Sequence, residues 1–495
     1  MFYDNIISTH NTTEKEFNFN LFDENPKSKT SENYLDIGQS KIKFNIITSD
    51  KSIKSGYGFK DIAMPQSEED IDSEVPISIR GTEVRAIWKL KWYYSVEDSD
   101  RYYLFYFNNE NYICYDNLFS IRYATLIVPT EFETVPYVVN YKHNGSEGLL
   151  VSGEGGDSMI ISGNGVETGT GSPQIISCCS HYGMMFAITA QARGTLIYSE
   201  DMDILEWTDE KTKDLDFSDE RGDLTKIISF NDYIYIFRDH GITEVSVYGS
   251  DDDFSISHQY LSSGFIYPNT IAECGESVYF LEDFSLKEFN GSSVKNIELE
   301  CLNMLKGRDN RKSYATCFNG KYFLACNMNF NDNQEIGCEA NENGFINNAL
   351  VIYDLESKHV EIVRGIDINQ LLALINPNKS KLVACFNNDY IGKIGELTED
   401  GKIFGTQEQA CWTSGKIDFD KAGEKKKIKE FTIKTKYDCQ VEFSFDGKKK
   451  IYNVKASEKV QRVQVNLSGK EFQISIKSNS QVEISDFNVK VIFKK

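Results

Sequence analysis

One pattern governs what this chain can become: an alternating apolar and polar run, a tight turn rich in Gly, Asn or Asp, and a second alternating run, repeated through the middle of the sequence. Arg101 to Phe107, the turn Asn108 to Asn111 and Tyr112 to Tyr115 form one copy. The form returns at 228–248, 272–291, 315–327 with 349–363, and 384–403. Period-2 alternation puts one face of each run in a core. The pairs Asn231-Asp232, Cys274-Gly275, Asn319-Gly320 and Asn387-Asn388 are suited to hairpin turns. Turn centres near 109, 145, 182, 231, 275, 319 and 388 lie roughly 36 to 50 residues apart, with one interval of 69 that holds the insertion Asn327 to Asn348. A period of about 40–50 residues with about four strands per unit marks propeller blades. A sandwich closes after about seven to nine strands, too few for the repeated hairpins between 80 and 408. The spacing therefore predicts an all-β chain with an irregular six- or seven-bladed β-propeller over 80–408. Helix is confined to the pieces Ile297 to Leu305 and Ile368 to Leu374.

From 409 to 495 the theme changes. The runs KIKEFTIKTK, CQVEFSFDGKKKIYNV, QRVQVNLSGKEFQISIKS and QVEISDFNVKVIF alternate strictly around Asp446-Gly447 and Ser468-Gly469 turns. This predicts a small antiparallel β-sandwich with one wet face. Residues 1–79 form a third, extended segment with two alternating runs, Glu16 to Asn20 and Lys41 to Ile46. It ends in the acidic linker SEEDIDSEVP.

Charge separates these parts. The chain carries Lys+Arg 53 against Asp+Glu 75, net −22. From Cys411 onward there are 19 basic and 11 acidic residues, a balance of +8, which leaves −30 for everything before it. A strongly acidic body repels phosphate backbones and anionic membranes, so coating of nucleic acid and sequence-specific nucleic-acid binding are not expected. The longest uncharged stretch, Thr168 to Ala192, is interrupted by Ser172, Gln174, Ser177, Ser180, His181, Thr189 and Gln191. It lacks the apolar run of about 20 residues that a spanning helix needs, and no membrane insertion is expected. The opening MFYDNIISTHNTTEKEF has neither a basic nor an apolar signal region. Eleven scattered cysteines without a C-x-x-C pair, among them the adjacent Cys178 and Cys179, read as free thiols of a reducing compartment.

Motifs for chemistry are scarce. The six histidines show no zinc spacing, and Gly163 to Ser172 lacks the Lys-Ser/Thr of a phosphate loop. Asp251 to Asp253 and Asn329 to Glu335 lack the spacing of an EF-hand. No catalytic, cofactor-binding or metal-binding residue is assigned, no cofactor is expected, and the chain reads as a non-enzyme. Leu196 to Trp207 resembles the Asp-box of sialidase-like propellers, with Asp203 where Gly is usual, Trp207 one residue late, and one copy where several would be expected. That box is structural, and cleavage of a glycan would need an arginine cluster as well, drawn from Arg85, Arg101, Arg122, Arg193, Arg221, Arg238, Arg308, Arg311 and Arg364.

Several segments in order are similar to the β-propeller virion proteins of tailed bacteriophages, especially the hub and nozzle components of short tails and their prophage relatives. They are Cys179 to Phe186 with Leu196 to Ser199 and Trp207, then Phe284 to Ile297, and, ahead of the ring, Ser55 to Pro65. Met184 stands where that family often has Arg. The resemblance spans about 52–305 and brings no catalytic residues. It implies a structural tail protein, assembled in the host cytoplasm, whose partners are other virion proteins and copies of itself, at or around the DNA conduit. The basic terminal sandwich would dock on an acidic neighbour. Two other readings of a propeller like this are a carbohydrate-binding or glycan-cleaving protein of host-surface recognition, with a pocket at the axis lined by aromatic residues and arginine, and a cellular protein-interaction propeller, expected as a monomer with a host partner.

Overall fold

Four turns picked out by sequence carry two successive residues of positive φ: Tyr182-Gly183 (45° and 78°), Asn231-Asp232 (49° and 63°), Asn319-Gly320 (48° and 69°) and Asp446-Gly447 (44° and 76°). Positive φ at both central positions is what a two-residue hairpin of matching twist requires. The chain is seen here in a computed structural model. It describes residues 15–20, 40–49, 52–61, 86–90, 101–106, 111–117, 120–122, 127–128, 132 and 136–493, apart from breaks at 144, 163–164, 209, 248–253, 333, 341–343, 376–379, 388–389, 391–392 and 418–422. The linker SEEDIDSEVP, Arg85, Asp251 to Asp253 and Asn388, and most of the turn at 108–111, fall outside the described residues.

The described chain divides into two units. One comprises 60–360 and 365–397 and the other 1–59, 361–364 and 398–495. The first unit is a β-propeller. Among the described residues seven antiparallel sheets follow one another, each starting afresh where the last ends. Blade 1 begins with Ala86–Leu90, Arg101–Tyr106 and Asn111–Asn117. Blade 2 is Tyr137–His143, Ser146–Ser152, Met159–Ser162 and Gly165–Thr168. Blade 3 is Ile175–His181, Met184–Thr189, Thr195–Ser199 and Lys213–Asp216. Blade 4 is Leu224–Phe230, Tyr233–Arg238, Gly241–Val247 and Phe254–Leu261, and blade 5 is Ala272–Cys274, Ser277–Glu282, Ser285–Phe289 and Val294–Ile297. Blade 6 has Tyr314–Phe318, Lys321–Cys326 and Ala349–Asp354, and blade 7 has Ile368–Leu374, Lys381–Phe386 and Ile394–Thr398, whose last residue is the first of the other unit. First strands neighbour one another from blade 1 to blade 4 and from blade 5 to blade 7, blades 4 and 5 share a core, and Ala86–Leu90 lies beside both Tyr137–His143 and Ile368–Leu374, which closes the ring at seven.

The second strand of each blade shows why the ring holds. Met184–Thr189 is buried throughout, because both of its faces are covered. Met185 and Ala187 join Tyr141, Leu150 and Ile160 of blade 2, while Met184, Phe186 and Ile188 join Ile227, Ile234 and Ile236 of blade 4. Blade 4 repeats the device, turning Tyr235 and Phe237 toward Val278, Phe280 and Phe289 of blade 5. Phe237 and Phe280 meet edge to face at 5.5 Å between centroids. Burial of each such side chain contributes about 1.5–3 kcal/mol. The adjacent cysteines follow the same rule: Cys178 packs in the core between blades 2 and 3, Cys179 against the one between blades 3 and 4. The ten cysteines whose side chains are described form no disulfide with one another.

Two expectations about helix change. Ile297 ends the strand Val294–Ile297, and the helical piece is the shorter 3-10 turn Glu300–Leu305. Ile368–Leu374 is a strand, not a helix; it pairs with Lys381–Phe386 from Ile368↔Phe386 to Leu374↔Lys381. Seven residues, five of them apolar, are too few for periodicity to separate the two states, and the open ladder of the neighbouring strand decides.

The second unit is an antiparallel sandwich. One sheet runs in the order Ile46–Ser49, Ser52–Ser55, Glu483–Phe493, Lys426–Thr435, Ser457–Gly469, with Lys15–Asn20 also on Glu483–Phe493. The other runs Ser40–Phe44, Ala410–Ser414, Phe472–Ser478, Cys439–Phe445, Lys448–Val454. Trp412, Phe431, Phe443, Phe472 and Phe487 fill the space between them. The alternation expected over 409–495 is present, and strands from the first 55 residues complete both sheets. Asn45 also fastens residues 361–364 here: its side chain donates to Arg364 O at 3.1 Å and accepts from Arg364 N at 2.8 Å. Gly58 is obligatory, since a Cβ there would stand 2.2 Å from the carbonyl oxygen of Lys402.

Candidate functional site

The strand nearest the axis opens every blade and the up-down order repeats, so first-to-second and third-to-fourth turns all emerge at one end of the propeller. At blade 3 the third-to-fourth connection is Glu200 to Thr212, the stretch that resembles an Asp-box. Its hydrogen bonds are almost entirely its own. Ser199 Oγ donates to Lys211 O at 2.7 Å and accepts from Asp201 N at 3.0 Å. Asp201 Oδ1 accepts from Asp203 N at 2.9 Å, and Asp203 Oδ1 from Leu205 N at 3.3 Å, which starts the 3-10 turn Ile204–Glu206. Trp207 Nε1 donates to Asp201 O at 2.8 Å, and its ring is buried with Ile204 between blades 2 and 3. Lys211 Nζ lies 3.0 Å from both Asp201 and Glu206. The N–H of Asp203 and the Lys211 ammonium hold the Asp201 carboxyl below the usual range.

This knotted loop walls a cavity of about 220 Å³ lined by Met184, Tyr198, Ser199, Glu200, Asp201, Lys211 and Lys213. No arginine lines it, and it sits on the flank of one blade, away from the axial strands. Large apolar side chains stand exposed at the same end: Tyr182 is 65 % exposed, Met202 38 % and Tyr233 37 %. Tyr182 and Tyr233 belong to adjacent turns, tied together where His181 Nδ1 meets Ser229 Oγ at 2.9 Å. The His181 and Tyr182 rings meet edge to face at 4.5 Å. Tyr182 is the odd member of the set. A bulky side chain at φ 45° is strained where Gly, Asn or Asp would rest easily, and the exposed ring takes nothing back from the core. Backbone strain of this kind collects at functional positions.

The other marked residues do structural work. Arg193 pairs with Glu154, Arg311 with Asp309, and Arg308 lies over Phe345. The side chains of Arg101 and Arg122, like Arg85, fall outside the description; among the described residues only Arg221 and Arg238 meet, on Asp219. Arg238 is fully buried and also donates to the carbonyls of Gly222 and Phe217. Arg364 lies in the other unit, over Phe44. Gly165–Thr168 is a strand and Gly169 packs on Leu205, so the glycine-rich stretch serves as a connection. Among the described residues no group of three or more His, Cys, Asp or Glu is placed to hold a metal ion.

At the axis, polar groups link one blade to the next. Cys178 N donates to the Tyr137 hydroxyl at 3.1 Å, Ile227 N to Ser177 Oγ at 3.0 Å, and Gln370 Nε2 to the Tyr314 hydroxyl at 3.0 Å. Lys226 Nζ donates to Ile271 O at 2.8 Å. Burial lowers its pKa to about 8, against a weaker opposite pull from Glu273. Sequence reasoning passed over Tyr182, Tyr233 and Met202. The available signal was the position of Tyr182, a bulky residue before Gly183 where the parallel turns hold Asn.

No family model matches this chain, and no curated protein does. Solved structures do. The extracellular domain of a one-component system from B. thetaiotaomicron aligns with 89 % of this chain at 11 % identity and TM-score 0.44, and the chain spans 61 % of that domain. A fungal alcohol oxidase in complex with copper aligns with 79 % of this chain and 91 % of its own at 9 % identity and TM-score 0.41. The Pan2 WD40 domain of Neurospora crassa aligns with 71 % and 96 % at 7 % identity and TM-score 0.37. At these values none speaks to activity.

Proposed function

We propose that this chain is a structural component of a tailed-phage particle, working through protein-protein contact at or around the DNA conduit. The observation that carries the reading is the division of charge between the two units. The sandwich unit holds 28 Lys+Arg against 23 Asp+Glu, net +5, and the propeller unit 25 against 52, net −27. An acidic ring does not retain DNA, because binding would need cations to displace the counterions of the phosphates. A chain of two oppositely charged units favours association with other proteins and with its own copies. The exposed Tyr182, Met202 and Tyr233 supply aromatic and methionine anchors of the kind that protein interfaces favour.

Mass spectrometry and electron tomography of purified particles test the proposal. The protein is expected in the tail at fixed stoichiometry, and its absence from particles sinks the idea. The second reading, glycan binding, draws on the cavity at blade 3, which has a mixed polar and apolar lining. Saturable binding on a glycan array, lost on Asp201→Ala, would favour it.

A further inference from the structure

The surface that fits the turn end of blades 3 and 4 lies on the same chain. The strands Lys448–Val454 and Ser457–Gly469 each form an outer edge of one sandwich sheet. Between 448 and 462 these strands and the turn joining them carry Lys448, Lys449, Lys450, Lys455, Lys459 and Arg462 against the single acid Glu458; Lys449, Lys455 and Arg462 pair with Glu442, Asp438 and Glu430 of the same sandwich. All six basic residues are exposed, and so are Ile451 (55 %) and Val460 (52 %). Lysine on an edge guards against uncontrolled strand pairing, but large apolar side chains beside it do not serve that end.

At the turn end of blades 3 and 4, Asp232 lies in the turn that carries Tyr233, and Glu200 follows Ser199, which pairs with Met185 just after the Tyr182 turn; both carboxylates are exposed. Aromatic faces with carboxylates at the rim receive the ammonium and the apolar stem of a lysine together.

We propose that the Lys448–Val454 and Ser457–Gly469 edge of one copy docks on the Tyr182 and Tyr233 surface of a second copy. The inference rests on reading the chain as a protein-binding component and names the two surfaces that meet. The contact is head to tail, so a neighbour's edge is free to engage the next copy, and the rotation between copies decides between a ring and a filament.

The test is sedimentation equilibrium of the purified full chain at low and high salt. Self-association is expected at low ionic strength, weakening at least about tenfold when screening is raised. Tyr182→Gly is the decisive variant, because glycine relieves the backbone at φ 45° and leaves the fold at least as stable. It is expected to weaken association by about tenfold, the scale of an aromatic anchor. Lys448→Glu with Lys450→Glu is expected to abolish association, and mixing that protein with Glu200→Lys/Asp232→Lys to restore it as a hetero-complex. A monomer at every concentration in low salt overturns the inference, and so does association indifferent to Tyr182→Gly. Absence from particles with Tyr182-dependent association refutes the virion reading alone. Presence in particles with Tyr182-independent association refutes this inference alone.

Discussion

Arg238 offers the sharpest test of how the propeller holds its blades in register. It ends the second strand of blade 4, and its guanidinium reaches back to the connection that arrives from blade 3. Nε donates to Gly222 O at 3.0 Å, Nη2 to Gly222 O at 2.7 Å and to Phe217 O, and Nη1 lies 2.9 Å from Asp219 Oδ1. Arg238→Met keeps the stem and removes every donor. Two carbonyls then lose their partners, at about 1 kcal/mol or more each, and a carboxylate loses a charge-assisted bond worth about 1.5–3 kcal/mol. Asp219 keeps some access to water and relaxes in part. The expected loss is therefore about 3–4 kcal/mol, within the range for breaking a buried pair.

Urea unfolding measures the loss, and hydrogen exchange localises it to 217–241. Arg238→Lys, a point charge without the planar fork, should recover less than half. Arg238→Met with Asp219→Leu should be less destabilised than Arg238→Met alone. The sign with pH follows from Asp219. Burial raises its pKa, but the Arg221 N–H and Arg238 more than offset this and leave it below the usual range. Its contribution is thus full above the unfolded carboxylate pKa of about 4 and lost as pH falls through the folded value. The gap between wild type and variant should narrow in acid. A loss under about 1 kcal/mol, or Arg238→Lys matching wild type, would refute the account of the guanidinium as the fastening between these blades.

Three further outcomes are expected. Lys226→Met should stabilise at neutral pH: the folded pKa of about 8 lies below the unfolded one, so the charged form is penalised, and the variant's advantage should fade as pH rises from about 8 to about 10.5. Denaturant titrations of both proteins at stepped pH read this, and an advantage that grows with pH contradicts it. Cys317, half-buried and with its pKa lowered by a hydrogen bond from the Cys274 thiol, should be alkylated by iodoacetamide well before Cys178 and Cys385, whose pKa values burial pushes up to about 12; peptide mapping of native protein decides the order. Gly58→Ala should cost the sandwich unit about 3 kcal/mol or more, because the new methyl meets the Lys402 backbone and not a side chain that could yield; a thermal melt within a degree of wild type would show that this approach is not close.

Local chemistry was legible wherever a few consecutive residues carry the whole instruction. Asn231-Asp232, Asn319-Gly320 and Asp446-Gly447 announce their turns because side chains that tolerate positive φ are few, and period-2 alternation announces Lys426–Thr435 because it is the only pattern that buries one face of a strand. Spacing between turns then counted the blades to within one. In blade 7 the first two strands are Ile368–Leu374 and Lys381–Phe386, so the pair Asn387-Asn388 follows the second strand of that blade instead of the first.

Partnership was not legible. Ser40–Phe44 alternates as well as any strand of the sandwich, yet nothing near it says that its ladder is Ala410–Ser414, more than three hundred residues on. Ile368–Leu374 looks helical until Lys381–Phe386 is beside it. Tyr182 stands out in the sequence only as a bulky residue before Gly183; its positive φ and its exposed ring belong to the fold. Turns, alternation and the division of charge can be read along the chain, since they depend on backbone sterics and composition over a few residues. Which faces close on one another and which side chains are left outside is settled in the assembled fold, because burial is a property of whole surfaces brought together across the chain.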